Sequence, residues 1–226
     1  LCYKHKKVDG RKGILKAVQK GGGAVFLSEK VRDEKLPDVL ISFAKNQKRR
    51  LGQAEAQLLA THLGSDLAKA VKEVEKLCLV TDEGGTITSD HIQRFVGISK
   101  DYNIFELQNA IGTRNAAKAQ QIAAHFAADP KDNPLPVTLG FLNTYFGKLA
   151  MVHTLSNQPP QEMAGALKVS PYFVKDYVAQ SRNYSLAKLV EIQRHLRQCD
   201  LRSKGVGGDG GDPGELLREL LAKVMS

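Results

Sequence analysis

The chain has 226 residues, 42% hydrophobic and 25% charged, with a formal net charge of +9 at neutral pH. These values fit a folded protein large enough for two domains and exclude a disordered or low-complexity chain. No apolar run reaches the roughly 18–20 residues of a membrane span, and no charged, apolar, small-residue leader opens the sequence, so no membrane partner is expected.

The basic excess is local. Residues 1–50 hold 14 Lys and Arg against 5 Asp and Glu, while the remaining 176 residues hold 19 of each. A surplus ending in Lys45, Lys48, Arg49 and Arg50 suits a polyanion such as nucleic acid, and equally suits a solvated lysine-rich surface. Cys2, Cys78 and Cys199 lie far apart and form no CxxC pair. They read as packed thiols in a reducing compartment rather than a metal site or a disulfide framework. The six histidines are scattered and no HExxH occurs, so neither a metal nor histidine-based catalysis is expected.

In chain order, residues 8–20 show a short helical period through Ile14, Leu15 and Val18, broken by Gly21, Gly22 and Gly23. Residues 24–27 read as a short strand that needs partner strands to persist. Residues 37–47, 53–63 and 65–79 are expected to be three helices with short joints, enough for a three-helix bundle. The third is the clearest. Leu67, Ala70, Val71, Val74, Leu77 and Cys78 make one apolar stripe, while Lys69, Glu73 and Lys76 stand at i,i+3 and i,i+4 spacing on the other face. Ser65 is expected to cap its first turn, Asp66 to favour the helix dipole, and Gly64 to end the preceding helix. Residues 81–85 form a turn, and 87–97 a capped short helix closed by Gly97. Every segment after Asp101 is helical in period: around 104–111, then 116–126, 137–155, 160–167, 171–180, 185–201 and 215–225. Loops are expected at 129–136 and at the glycine-rich stretch 205–214.

Leu63-Gly64 followed by Ser65-Asp66-Leu67 and Lys72-Glu73-Val74-Glu75-Lys76-Leu77 resembles the delta-subunit family of the bacterial DNA polymerase III clamp loader. A second stretch, from Ile87-Thr88 through Val96-Gly97 to Asn103-Ile104-Phe105-Glu106-Leu107, is similar to the family at the expected distance. Asp200-Leu201-Arg202-Ser203-Lys204-Gly205 resembles a step in its collar. The likeness covers nearly the whole chain. It implies an all-α fold, a three-helix AAA+ lid-type bundle followed by a collar-type helical bundle, with a short remnant of an α/β core at the N-terminus. The implied domains are 1–23 for that remnant, 24–97 for the lid and 98–226 for the collar, with Gly64, Asp66, Leu67, Glu73 and Leu77 as a structural lid signature. The implied function is a subunit without catalysis or cofactor of its own, inside a complex with DNA polymerase activity. Its partners would be the clamp-loader ATPase subunits and delta-prime through the collar, primed DNA, and the sliding clamp through a core preceding Leu1. A start at Leu1 rather than Met fits a fragment of such a longer protein, located in the nucleoid-associated cytoplasm.

Three stretches invite chemistry. Loop 205–214 follows a helix and lacks Gly-Lys-Ser/Thr, so it is no phosphate cradle, and Asp209 and Asp212 are too few for calcium; it reads as a connector. In the family this loop faces the ring interior, which nominates Arg202 and Lys204 for DNA. Some members carry an aromatic near that place, and Lys204 has no stacking face. Residues 163–178 look like a helix-turn-helix, with Ala164, Leu167 and Val174 to bury, Pro171 opening the second helix, and Tyr172, Lys175 and Asp176 as groove-facing groups. Packing within a bundle is the competing reading. Ala68, beside Lys69, occupies the position at which the family's ATPase relatives carry a phosphate-reaching arginine, so no ATP chemistry is expected. The alternatives to a clamp-loader subunit are a DNA-binding helical protein working through 163–178, or one working through the basic segment 1–50.

Overall fold

The computed structural model describes residues 13–25, 31, 35–63, 66–99, 101–155, 158–207 and 210–226. Among these it contains twelve α-helices and one two-stranded sheet, an all-α protein. Residues 1–32 and 33–226 form two separate units. In the first, helix α1 (Gly13–Lys20) stops where Gly22 turns left-handed at φ 76°. Residues 8–12 of the helix expected there lie outside the described residues. Of the expected strand, 24–25 are irregular, and 26–27 are also outside them. A lone strand with no partner has no ladder to hold it.

The second unit opens with α2 (Leu36–Asn46), α3 (Gln53–Leu63), α4 (Leu67–Leu79) and α5 (Ser89–Val96). Pro37 sits in the first turn of α2, where its missing N–H costs nothing. The helix ends as Lys48 turns left-handed at φ 57° and Arg49 N–H bonds back to the Ala44 carbonyl at 2.9 Å. Asp66, not Ser65, caps α4: its carboxylate accepts the Lys69 N–H at 3.1 Å. A carboxylate there gains both the hydrogen bond and the favourable end of the helix dipole. Ser65 and Gly64 lie outside the described residues. Glu73 pairs with Lys76, one turn on. Thr88 caps α5 in a reciprocal box in which His91 Nδ1 accepts the Thr88 N–H, and Gly97 closes the helix at φ 86°. The sequence reading missed one feature. Strands β1 (Arg50–Leu51) and β2 (Thr86–Ile87) pair in parallel, burying Leu51 and Ile87, and two residues are too few to show a period. Leu40, Leu59, Ala70, Val74, Leu77 and Ile92 fill the core these elements enclose.

A second core follows. It is built from α6 (Ile104–Gly112), α7 (Ala116–Ala128), α8 (Leu135–Thr154), α10 (Pro171–Ser181), α11 (Leu186–Ser203) and α12 (Pro213–Met225), with α9 (Pro160–Leu167) alongside. Asn103, Asn115, Ser170, Ser185 and Asp212 cap α6, α7, α10, α11 and α12 through side-chain oxygens. Helices α8 and α12 each begin two residues earlier than the apolar period suggested, because Pro136 and Pro213 fit the first turn. Leu142, Phe146 and Leu149 of α8 form the spine of this core. A Cβ on Gly214 would come within 2.4 Å of Ala127 Cβ, so glycine alone lets α12 start this close to α7. A polar seam crosses the core. Tyr184 Oη donates to the Ile111 carbonyl at 2.7 Å, Asn183 Nδ2 to Gly112 at 2.8 Å, and Tyr145 Oη to Gln180 Oε1 at 2.9 Å. Arg114 lies over the Tyr184 ring and donates to the Met225 carbonyl.

Candidate interaction surfaces

Four of the six cations nominated from sequence, Lys48, Arg49, Arg202 and Lys204, are engaged within the fold. Lys48 Nζ meets Glu83 Oε1 at 2.7 Å, and Arg49 Nε donates to the Thr81 carbonyl at 3.1 Å. The backbone repeats the link, with Gly84 N–H on Lys48 O and Arg50 N–H on Gly85 O. The stretch 48–50 is therefore stitched to the turn 81–85, while Lys45 and the Arg50 side chain stay exposed. At the far end of the chain, Arg202 Nη1 meets Glu219 Oε2 and Lys204 Nζ meets Asp200 Oδ2, both at 2.7 Å. The structure does not bring the two basic groups into one cluster: Lys45 to Arg50 flank the first core, and Arg202 and Lys204 close α11 of the second. Of the lid-signature residues, Asp66 caps α4, Leu67 packs on the first core, Leu77 is fully buried and Glu73 holds Lys76. Ala68 and Lys69 are exposed.

Helices α9 and α10 do turn as a helix-turn-helix, with Lys168 left-handed at φ 52° between them. Ala164, Leu167 and Val174 bury against Val152 of α8, while Tyr172, Lys175 and Asp176 face outward. In loop 205–214, Gly205, Gly207 and Gly210 take positive φ, and Asp212 caps α12 through the Glu215 N–H at 2.9 Å, as a connector does. Among the described residues no group of three or more His, Cys, Asp and Glu could hold a metal ion, and no helix is long and apolar enough to cross a membrane.

Three surfaces escaped the sequence reading. Along α8, Val137, Gly140, Thr144, Gly147 and Met151 recur at steps of three and four, the spacing of a helix–helix seam. Val137 and Met151 are 52% and 41% exposed, and a Cβ on either glycine would meet nothing within 4 Å. This stripe was hidden beside the stronger buried one on the same helix. The second surface is a slot of about 200 Å³ between α11 and α12. Its wall includes Cys199, whose thiol burial pushes up to about 11, so it stays protonated and unreactive at neutral pH. A wider cleft of about 370 Å³ lies between α3 and the joint of α7 and α8. Burial holds its His62 below the ordinary imidazole range against the opposing pull of Asp132.

A family model described as the C-terminal domain of the DNA polymerase III delta subunit matches residues 101–217. The DNA polymerase III subunit delta of Bacillus subtilis (strain 168) is 27% identical over 223 residues, covering 97% of this chain and 62% of that protein. The chain thus spans about 62% of the length of this relative. The solved structure of the Bacillus subtilis DNA clamp loader delta protein shares the fold, with a TM-score of 0.59 at 24% identity over 97% of this chain and 64% of the other. Since the family model matches more than half of its residues, the chain belongs to the DNA polymerase III delta subunit family.

Proposed function

We propose that this chain is the lid and collar part of a clamp-loader subunit without catalysis of its own. Residues 1–23 are the tail of an AAA+-like core, 24–97 the lid and 98–226 the collar. The collar assembles with the clamp-loader ATPase subunits and delta-prime, and the assembly loads a sliding clamp onto primed DNA. The observation that carries this reading is the open stripe on α8. Glycine inside a helix costs about 0.5–1 kcal/mol relative to alanine, so two of them on an unobstructed face lower the stability of the chain alone. Their use is to let another helix approach, and the heptad-like spacing of Val137, Gly140, Thr144, Gly147 and Met151 fits such a partner.

The test is co-purification with ATPase subunit and delta-prime from one organism, without nucleotide, read as mass by size exclusion. The wild-type chain is expected in a mixed assembly, and the double variant Gly140→Leu, Gly147→Leu to elute alone with unchanged circular dichroism. A wild-type chain that elutes alone beside folded partners refutes the assembly. Variants that assemble as well as wild type move the interface away from α8.

A further inference from the structure

The slot between α11 and α12 has an apolar floor and a cationic rim. Leu201, Val206, Leu216 and Leu220 line it, with Leu201 and Val206 36% and 56% exposed at its mouth. Its volume of about 200 Å³ is several times the roughly 30 Å³ of a water molecule, room for the end of one large side chain. On the rim, Arg202 and Lys223 each reach one oxygen of Glu219 at 2.7 Å. Two cations thus share one carboxylate and leave a positive charge uncompensated. Those two hydrogen bonds, Lys223 first, hold the Glu219 carboxyl below the usual carboxylate range, so it is ionised at neutral pH. On the wall, His195 Nε2 faces Glu191, while its buried Nδ1 has no hydrogen-bond partner.

We infer that this slot docks a short acidic segment of a partner protein. One leucine-like or aromatic side chain enters over Leu216 and Leu220, and a neighbouring carboxylate takes the surplus charge of Arg202 and Lys223. The apolar floor favours a peptide over nucleic acid: Leu201, Val206, Leu216 and Leu220 suit an aliphatic or aromatic side chain, and no Phe, Tyr or Trp ring lines the slot for a base to stack on. The site lies on α11 and α12 and is independent of the α8 stripe.

The probe is an array of five-residue peptides, each with one Leu or Phe flanked by Glu or Asp, with lysine-flanked versions as controls. Fluorescence anisotropy with the 226-residue chain measures the binders. Acidic peptides are expected to bind and lysine-flanked ones not. Arg202→Glu is expected to weaken binding by about tenfold or more. Glu219→Gln is expected to strengthen it several-fold by releasing both cations, a gain that a merely structural role for Glu219 does not produce. Both side chains are exposed, and thermal melts verify that the variants fold. An acidic array with no binder at millimolar peptide overturns the proposal, as does a Glu219→Gln variant that binds more weakly. An oligothymidylate that binds the same chain with a steep salt dependence and is lost in Arg202→Glu assigns the slot to nucleic acid instead.

Discussion

The two larger of the three hydrophobic cores in residues 33–226 are held by different means. Among the described residues, those buried in the first are aliphatic apart from Cys78, while the second is centred on Phe126, Tyr145, Phe146 and Tyr184. Aliphatic side chains carry no direction, so the register of the first core is fixed from its edges: the Asp66 cap, the Thr88–His91 box, left-handed Lys48 and the stitch of Arg49 to Thr81. The second core is fixed from inside. Buried tyrosine hydroxyls must find acceptors, and their choice of Ile111 and Gln180 sets how α6, α8, α10 and the start of α11 sit together. Edge devices are local in sequence, whereas an interior seam is long-range.

The sharpest way to break this comparison is to empty the second core. Phe146 is fully buried and packs edge-on to both Tyr145 and Tyr184. Phe146→Ala is expected to cost about 3–5 kcal/mol in urea unfolding. Native-state amide exchange should show the protection lost from α8 and α11 while α2 to α4 keep theirs. Loss spread evenly over both cores means that they unfold as one, and that the difference in construction has no energetic counterpart.

A gentler change isolates the seam. Tyr184→Phe keeps the ring and removes the hydroxyl, taking from the buried Ile111 carbonyl one of its two donors and leaving the Arg114 N–H at 2.9 Å. The expected cost is about 0.5–1.5 kcal/mol, the net worth of one hydrogen bond, read from the denaturation midpoint at unchanged slope. An effect near zero shows that packing of the ring alone sets the register and that the hydroxyl is incidental.

The same contrast explains what could be read from the sequence. Helix α3 was legible to its end because Gly64 follows it, and α9 and α10 because Pro160 and Pro171 open them, whereas nothing in the sequence marks the left-handed Lys168 between them. Where two capping residues stand side by side, as Ser65 and Asp66 do, propensity could not choose; the observed cap is the carboxylate. The β1–β2 pair was illegible, since two-residue strands joined across 34 intervening residues carry no period. The site fared worse than the fold. Counting charges could nominate Arg202, but not find its partner 17 residues on across a glycine-rich loop. Nor could it foresee Tyr184 reaching Ile111 over 73 residues.

The smallest expected effect carries the most information about function, because its two readouts have opposite signs. Gly140 and Gly147 stand two turns apart on α8, with open space where a Cβ would go. Alanine narrows the unfolded ensemble at both positions and adds no clash. Each of Gly140→Ala and Gly147→Ala is therefore expected to raise stability by about 0.5–1 kcal/mol. At roughly 10 Å separation the two gains should add. If the glycines serve only this chain, the stabilised double variant assembles as well as wild type or better. If they admit a partner helix, the two methyl groups hold that helix off, and the same variant melts later yet binds its partners more weakly. A variant that melts earlier removes the premise, since the methyl groups then meet something and the face is not open. Later melting with weaker assembly has a simple cause in an intersubunit seam, because a defect in folding would move both readouts the same way.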